Sequence, residues 1–352
     1  DFTRQTPPFI NGQSAAFMTV NRGKKSVTLN LKNPQGREVL LKLVQNADIL
    51  VENYTPGTLE SLGLGYAALS KLNPRLVYCS ISGFGQTGPY SHRGGFDLIA
   101  QGMGGMMSVQ GQPGQPPEKV ALPVTDIGAA MYAVQGILLA LIALQRTGEG
   151  QQVDASLFEC AVGWALWEGA LYFGSGEIPK PSGSAHRLGA PYQAFKTKDG
   201  YINIAAVTLG QWQQLCELLH LDKLVDDPRF KTPAARAGNQ KELAQLIEQA
   251  LAGQGNAYWL ERLDKLEIPS GPINPYDVVF SDPHVLSRDM VVETQHSVAG
   301  KFKMVGIPVK LSKTPGRIRE AAPVLGQHTR DVLLGLGYGD QDISRFKKAG
   351  AI

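Results

Sequence analysis

Between about Lys25 and Phe173, short apolar runs alternate with segments whose apolar positions recur every three to four residues. That rhythm predicts strands and helices in alternation, as in a parallel α/β sheet. Ser26–Leu31 is a short apolar alternation of strand type. Pro34–Ala47 predicts a helix, with Pro34 in its first turn and Val39, Leu40, Leu43 and Val44 on one face. Asp48–Val51 predicts a buried strand, and Tyr66–Leu72 a short helix stopped by Asn73-Pro74. Arg75–Ser82 carries the strongest strand signal of the chain. The glycine-rich stretch Gly83–Pro89 follows that strand's carboxyl end, where open α/β sheets place their ligands. A helix over Asp126–Gln145, a strand over Gln151–Ala155 and a helix over Leu157–Leu171 complete the series.

Composition changes at Gly174–Pro191, where Gly, Ser, Pro and Lys dominate, the signature of a linker. Beyond it, Tyr192–Lys196 and Tyr201–Ala205 flank the turn Lys198-Asp199-Gly200 and predict a hairpin. Helical spacing returns at Leu209–Leu219, Lys241–Leu251 and Asn256–Leu266, and Leu266–Pro275 reads as a second linker. The pattern describes an α/β domain, a smaller inserted domain and a C-terminal segment.

The 352 residues exceed ordinary single-domain length, and 43% hydrophobic residues are ample for a core. A formal charge of +3 makes no case for nucleic acid or a membrane surface. The longest apolar stretch, Ala129–Gln145, is interrupted by Tyr132 and Gln135; it reads as a buried helix rather than the ~20 apolar residues of a membrane span, so a soluble protein is expected. Cys79, Cys160 and Cys216 are odd in number and far apart, which fits structural thiols in a reducing compartment. The opening Asp1-Phe2-Thr3-Arg4, without Met or signal pattern, reads as a chain lacking its native beginning.

Neither a metal-ligand spacing among the six histidines, nor a GxxxxGK[ST] phosphate loop, nor a GxSxG elbow occurs, and no metal is expected. Gly102-Met103-Gly104-Gly105 is better read as close packing than as a dinucleotide loop. Asp126, in Pro123-Val124-Thr125-Asp126-Ile127-Gly128, opens an apolar helix. Such an Asp commonly serves the helix's free N–H groups. The same N–H groups could instead depress its pKa and hold it ionised as a nucleophile, with Gly128 and Ala129 leaving room for a substrate. The residues alone leave both readings open.

A set of ordered motifs resembles the family III CoA-transferases of the formyl-CoA and carnitine CoA-transferase type. Within them it is most similar to the branch serving succinyl-CoA-like donors and dicarboxylates such as glutarate or hydroxymethylglutarate. The motifs are Asn21-Arg22-Gly23-Lys24-Lys25-Ser26, Val51–Gly57, Gly63–Tyr66, Ser82–Pro89, Thr125-Asp126, Pro191–Gly200 and Pro323–Thr329. Each is weak alone; the ordered set spans the chain. The resemblance implies that Asp126 is the catalytic nucleophile. It places Leu29, Asn30, Leu31 and Lys32 at a CoA-contacting strand end, and Asn53, Tyr54 and Thr55 along the CoA groove. Arg93, Gly94, Gly95, Phe96 and Asp97 match the loop that approaches the pantetheine arm. Where some members carry an Arg, this chain has Ser61, so Lys24, Lys25, Lys32 or Arg93 would supply the phosphate's partner. On chemical grounds, backbone amides of Gly174-Ser175-Gly176 or Ser182-Gly183-Ser184 could shield the intermediate or stabilise its oxyanion, with a plain flexible linker the other reading. His186 and Arg187 are the candidates for a dicarboxylate's distal end, with a solvated linker residue the other reading of Arg187.

The implied fold is a Rossmann-like large domain, residues 1–189, with a smaller α+β domain at 192–277 and a return of 278–352 to the large domain. An interlocked homodimer is implied as well. The implied activity is CoA transfer through aspartyl-anhydride and aspartyl-CoA intermediates, with coenzyme A and acyl-CoA as substrates and no tightly bound cofactor. The expected compartment is the cytoplasm, or the mitochondrial matrix in a eukaryote. Two alternatives stand beside this. A 2-methylacyl-CoA racemase of the same fold needs a second acid/base, a His where this chain has Phe96 in Gly95-Phe96-Asp97. The other is an inactive truncated homologue.

Overall fold

The computed structural model describes residues 1–352. In chain order its main elements begin with helix α1 (Pro34–Val44), strand β1 (Ile49–Glu52), helix α2 (Tyr66–Leu72) and strand β2 (Val77–Ser82). Helices α3 (Asp97–Met103) and α4 (Val124–Thr147), strand β3 (Gln152–Ser156), and helices α5 (Leu157–Gly163) and α6 (Leu166–Ser175) follow. Next come β4 (Tyr192–Lys196), β5 (Tyr201–Ala205), α7 (Leu209–Leu218), α8 (Gln240–Leu251), α9 (Asn256–Lys265) and β6 (Ser270–Pro272). The chain closes with β7 (Val291–His296), β8 (Gly300–Val305), α10 (Thr329–Gly335) and α11 (Asp340–Lys348).

Two compact units result: residues 1–95 with 128–157 and 276–352, and residues 96–127 with 158–275. The sequence placed its first boundary at residues 189–192, whereas segments 96–127 and 158–189 fold together with 192–275. Close contacts join the first two of these segments: a Cβ on Gly104 would lie 2.4 Å from Ala161 Cβ, and Gly183 N–H donates to Gly111 O at 2.9 Å.

In the first unit, β1, β2 and β3 form a parallel sheet in that order, as the alternating pattern required. The central strand β2 is buried along nearly its whole length, with Ser80 and Ser82 buried beside Val77, Tyr78 and Cys79. Helix α1 starts on Asn33, whose Oδ1 accepts from Gln35 N–H, and buries Val39 and Val44. Ser26–Leu31 does not join the sheet. Three of its amides are met by the C-terminal return: Ser26 by His328 Nδ1, Thr28 by Thr329 Oγ1 and Asn30 by Ala351 O. Alternation signals half-buried extended chain, but a ladder also needs a neighbouring strand. The return likewise supplies the hairpin β7–β8, which the periodicity left unread.

The second unit is built on the antiparallel sheet β4-β5-β6. The stretch read as a second linker therefore contributes an edge strand, Ser270–Pro272. Its core gathers Phe195, Ile202, Ile204, Trp212, Leu215, Phe230, Ile247 and Leu263. Arg236 lies inside, fully buried, donating Nε to Ala190 O and its Nη atoms to Phe230 O and Val207 O. The helix expected over Leu157–Leu171 breaks after Gly163 into α5 and α6, since Ala165 leaves helical geometry (ψ 47°).

Helix α4 corrects the reading of Ala129–Gln145 as a buried helix. It is long and apolar enough to cross a membrane by length and composition, yet only a third of its most apolar window is buried. Ala129, Ala133, Ala140 and Leu144 are buried, whereas Ile127, Met131, Val134, Leu138 and Ile142 form an exposed apolar stripe at helical spacing.

Candidate active site

The carboxyl edge of the parallel sheet in the first unit gathers several of the expected CoA residues. Asn53, Tyr54 and Thr55 directly follow β1, and Asn53 Nδ2 donates to Ile81 O of β2 at 2.7 Å. The Tyr54 amide donates to Glu52 Oε2 at 2.8 Å, and the Tyr54 ring is half exposed. Past β2, Gly85 N–H donates to Ser82 Oγ and Gln86 N–H to Asp154 Oδ2 of β3, which closes the glycine-rich turn over the strand ends. Gly83 and Gly95 meet backbone to backbone: a Cβ on Gly95 would lie 2.5 Å from Gly83 Cα. Only two glycines permit that approach, and it brings Arg93 and Gly94 to the same edge. The Arg93 guanidinium lies over the rings of Tyr90 and Phe84, 5.1 and 5.5 Å from their centroids.

Leu29–Lys32 is also in the first unit. Leu31 packs with Leu50 and Tyr78, and Leu29 with the C-terminal helices. Asn30 ties the return, donating Nδ2 to Gly350 O at 3.0 Å, while its Oδ1 accepts from Lys32 N–H at 3.1 Å. Lys25 and Lys32 are exposed, Lys24 Nζ donates to Asn21 Oδ1, and Ser61 Oγ closes its own helical turn on Thr58 O.

Asp126, Asp97, Phe96, His186 and Arg187 belong to the second unit. Asp126 is the third residue of α4 and is open to solvent on one side. The surrounding first turn is occupied: Thr125 N–H donates to Asp97 Oδ1 at 3.0 Å, and Ile127 N–H to Pro123 O at 3.0 Å. Partial burial, and then the Asp97 charge, push the Asp126 pKa up. This reverses the expectation that free helix amides would hold it down, because the amides beside it already have other acceptors. Asp97 sits in the first turn of α3, and its Oδ2 accepts from Gln101 Nε2 at 2.8 Å. Phe96 precedes it as an exposed hydrocarbon ring.

His186 and Arg187 are both engaged in the local fold. The His186 ring stacks on Tyr192 at 5.0 Å, its Nδ1 accepts from Leu188 N–H and its carbonyl accepts from Gln240 Nε2. Arg187 pairs with Glu168 at 3.4 Å and also donates to Lys180 O and Val109 O. Glu168 and Val109 help line a cavity of about 340 Å³ with Gly104, Gly105, Trp164 and Ile178. In the serine-glycine loop, Ser182 Oγ donates to Ala185 O and Ser184 Oγ accepts from Ala194 N–H. Gly176 ends α6 in the left-handed region.

Gln101 and Glu168 escaped the sequence reading. Gln101 could have been found by its four-residue spacing from Asp97 on a helix. The Glu168–Arg187 pair carries no such local mark. The cysteines are buried and free, and burial pushes the thiols up, Cys79 to about 11 and Cys216 to about 12, which suits structural roles.

Comparison with known proteins adds to this geometry. The family described as CoA-transferase family III matches residues 1–329. The succinyl-CoA:glutarate CoA-transferase of Mus musculus is 39% identical over 347 residues, covering 98% of this chain and 80% of that protein. The succinate–glutarate CoA-transferase of Agrobacterium fabrum is 36% identical and covers 94% of this chain and 84% of that protein. A crystal structure of a CAIB/BAIF family protein from Brucella suis superposes with a TM-score of 0.84 at 37% identity, covering 96% of this chain and 89% of that one.

Proposed function

The chain belongs to CoA-transferase family III, and from that premise we propose that it moves CoA from a succinyl-CoA-like donor to a dicarboxylic acid through covalent intermediates on Asp126. As a family member it is a CoA-transferase, and CoA thioesters are its substrates. The observation that carries the finer reading is the Asp126 carboxylate itself: partly covered, raised in pKa and set in an α4 turn whose neighbouring amides are already bonded. A carboxylate of raised basicity is the better nucleophile.

In this reading Asp126 Oδ attacks the thioester carbonyl, the C–S bond breaks, and CoA leaves as thiolate with the electron pair. The thiolate attacks the Asp126 acyl carbon of the anhydride, which frees the donor acid and leaves an aspartyl-CoA thioester. The acceptor carboxylate displaces CoA from Asp126, and the thiolate then attacks the acceptor's acyl carbon. Acceptor-CoA departs and Asp126 is again a carboxylate. Phe96 offers no proton acceptor, which favours group transfer over exchange of an α-proton.

Leu29–Lys32, Asn53–Thr55 and Arg93–Asp97 would hold the CoA portion, with Lys32 and the guanidinium of Arg93 as cations for its phosphates. His186 and Arg187 would receive the acceptor's distal carboxylate, which must then share Arg187 with Glu168. A homodimer would cover the apolar stripe of α4 and the exposed Leu166, Trp167 and Phe173 of α6. The deciding experiment incubates the protein with succinyl-CoA and a panel of acids, traps with hydroxylamine and maps the modified residue. A hydroxamate at Asp126 with a dicarboxylic acceptor is expected. A modification elsewhere, or none during turnover, sinks the covalent mechanism.

A further inference from the structure

We propose that Asp97 is a positioning residue for Asp126, acting through a buried side-chain relay that runs from α3 to the first turn of α4. The inference rests on Asp126 being the nucleophile and adds what orients it. Asp97 Oδ1 accepts from both the amide and the hydroxyl of Thr125, at 3.0 and 2.9 Å. Its second oxygen accepts from Gln101 Nε2 at 2.8 Å, one helical turn further along α3. Gln101 in turn grips the extended chain ahead of α4: Val120 N–H donates to its Oε1 at 2.9 Å, and its Nε2 donates to Val120 O at 3.3 Å. Gln101 and Thr125 are fully buried.

One turn of α3 thus holds both Val120 and Thr125, which bracket the Leu122-Pro123 approach to the helix. Thr125 is the residue before Asp126, so fixing its amide and side chain fixes the backbone from which Asp126 projects. Charge-assisted bonds from a carboxylate to a buried amide and hydroxyl are among the stronger positional restraints a loop can have. Losing one member would leave buried donors without a partner and incur their desolvation cost, so the arrangement is held as a unit.

Asp97 also acts on the reaction coordinate. Before attack, the Asp97 charge, held beside the first turn of α4 by Thr125, adds to partial burial in pushing the Asp126 pKa up. When Asp126 Oδ bonds to the thioester carbonyl carbon and the C–S electron pair leaves with CoA thiolate, Asp126 loses its charge. The repulsion from Asp97 is relieved in that step, so the neighbour favours acylation while its hydrogen bonds hold the geometry. The Asp97 carboxylate, engaged by Thr125 and Gln101, is therefore assigned to the support of Asp126, which leaves the backbone of the Arg93–Asp97 loop for the pantetheine arm.

The test uses the full chain and the exchange of labelled succinate into succinyl-CoA, with hydroxylamine trapping at Asp126. Asp97→Asn is expected to lower kcat about 100-fold, the order of loss that an ångström of misplacement produces, while KM for succinyl-CoA stays within about threefold. Thr125→Ser keeps both donors and should retain kcat, whereas Thr125→Val, which loses the hydroxyl, should lose part of it. Wild-type kcat in Asp97→Asn overturns the proposal, as does a rise in KM at constant kcat. If Asp97→Asn fails to fold by circular dichroism, the threonine pair decides: equal kcat in Thr125→Ser and Thr125→Val overturns it. Absence of the hydroxamate in the wild-type protein refutes the nucleophile instead, and the relay falls with it.

Discussion

Adjacent glycines in the Arg93–Asp97 loop should respond oppositely to the same added methyl group. In Gly95→Ala the new Cβ would sit 2.5 Å from Gly83 Cα and 3.4 Å from Gly83 C. Both sides of that contact are backbone, so neither can rotate away; the crossing must open by about an ångström to restore ordinary separation. Overpacking of this kind costs about 1–3 kcal/mol, or roughly 2–12 °C in Tm at 2–4 °C per kcal/mol for a unit of this size. In Gly94→Ala the Cβ meets nothing within 4 Å. That change should leave Tm unchanged or raise it slightly, since Ala restricts the unfolded chain. Opening the Gly83–Gly95 crossing moves the loop carrying Arg93, so kcat/KM for succinyl-CoA should fall on the order of tenfold to a hundredfold in Gly95→Ala and hold in Gly94→Ala. Thermal unfolding and initial-rate kinetics on the two variants are the assay. Equal Tm and equal kcat/KM for both would refute the claim that this crossing is tight and that it sets the loop.

Further outcomes follow from other parts of the molecule. Asp126→Asn should abolish exchange by about a thousandfold or more, in the range seen when a nucleophile is removed. It should also raise Tm at neutral pH: a carboxyl whose folded pKa is raised binds its proton more tightly when folded, so its ionised form opposes folding above the ordinary carboxylate pKa. That gain should vanish as pH falls below the ordinary value, and a Tm difference independent of pH between 3 and 8 would contradict the sign. Glu168→Gln should lower KM for dicarboxylic acceptors by releasing Arg187, and Arg187→Ala should raise it, with monocarboxylic acceptors little affected in either; equal effects on both acid classes would remove Arg187 from acceptor recognition. Arg236→Ala leaves three carbonyls, those of Ala190 and Phe230 in buried bonds, without their donor and opens a void, so a loss of roughly 3–5 kcal/mol is expected by denaturant titration. Leu138→Asp on the exposed stripe of α4 should yield monomers in sedimentation velocity, and an unchanged assembly would assign that stripe another role.

Local signals carried much of the fold. The hairpin β4–β5 falls where alternation and the Lys198-Asp199-Gly200 turn placed it, because both its strands and its turn lie within fourteen consecutive residues. Helix α2 likewise ends against Asn73-Pro74, a stop written in adjacent positions. Ser26–Leu31 misled for the opposite reason, since its partners stand about three hundred residues away in the return. The hairpin β7–β8 and the edge strand β6 lacked long periodic runs, and only pairing defines them. The stripe on α4 could not be divided into covered and open faces from hydropathy alone, because both faces are apolar.

By itself the sequence determined the alternation that makes a parallel sheet, the glycine turn at its carboxyl edge and, through ordered motifs, the family to which the chain belongs. It also put Asp126 at a helix start, where free amides argued for a depressed pKa. Only the tertiary structure decided what those amides do. Asp97, twenty-eight residues away from its partner Thr125, takes one of them and brings a second negative charge to the site. Backbone periodicity is a property of neighbours along the chain, and it survives in the sequence. Desolvation and charge depend on neighbours in space, and those appear only when the chain has folded.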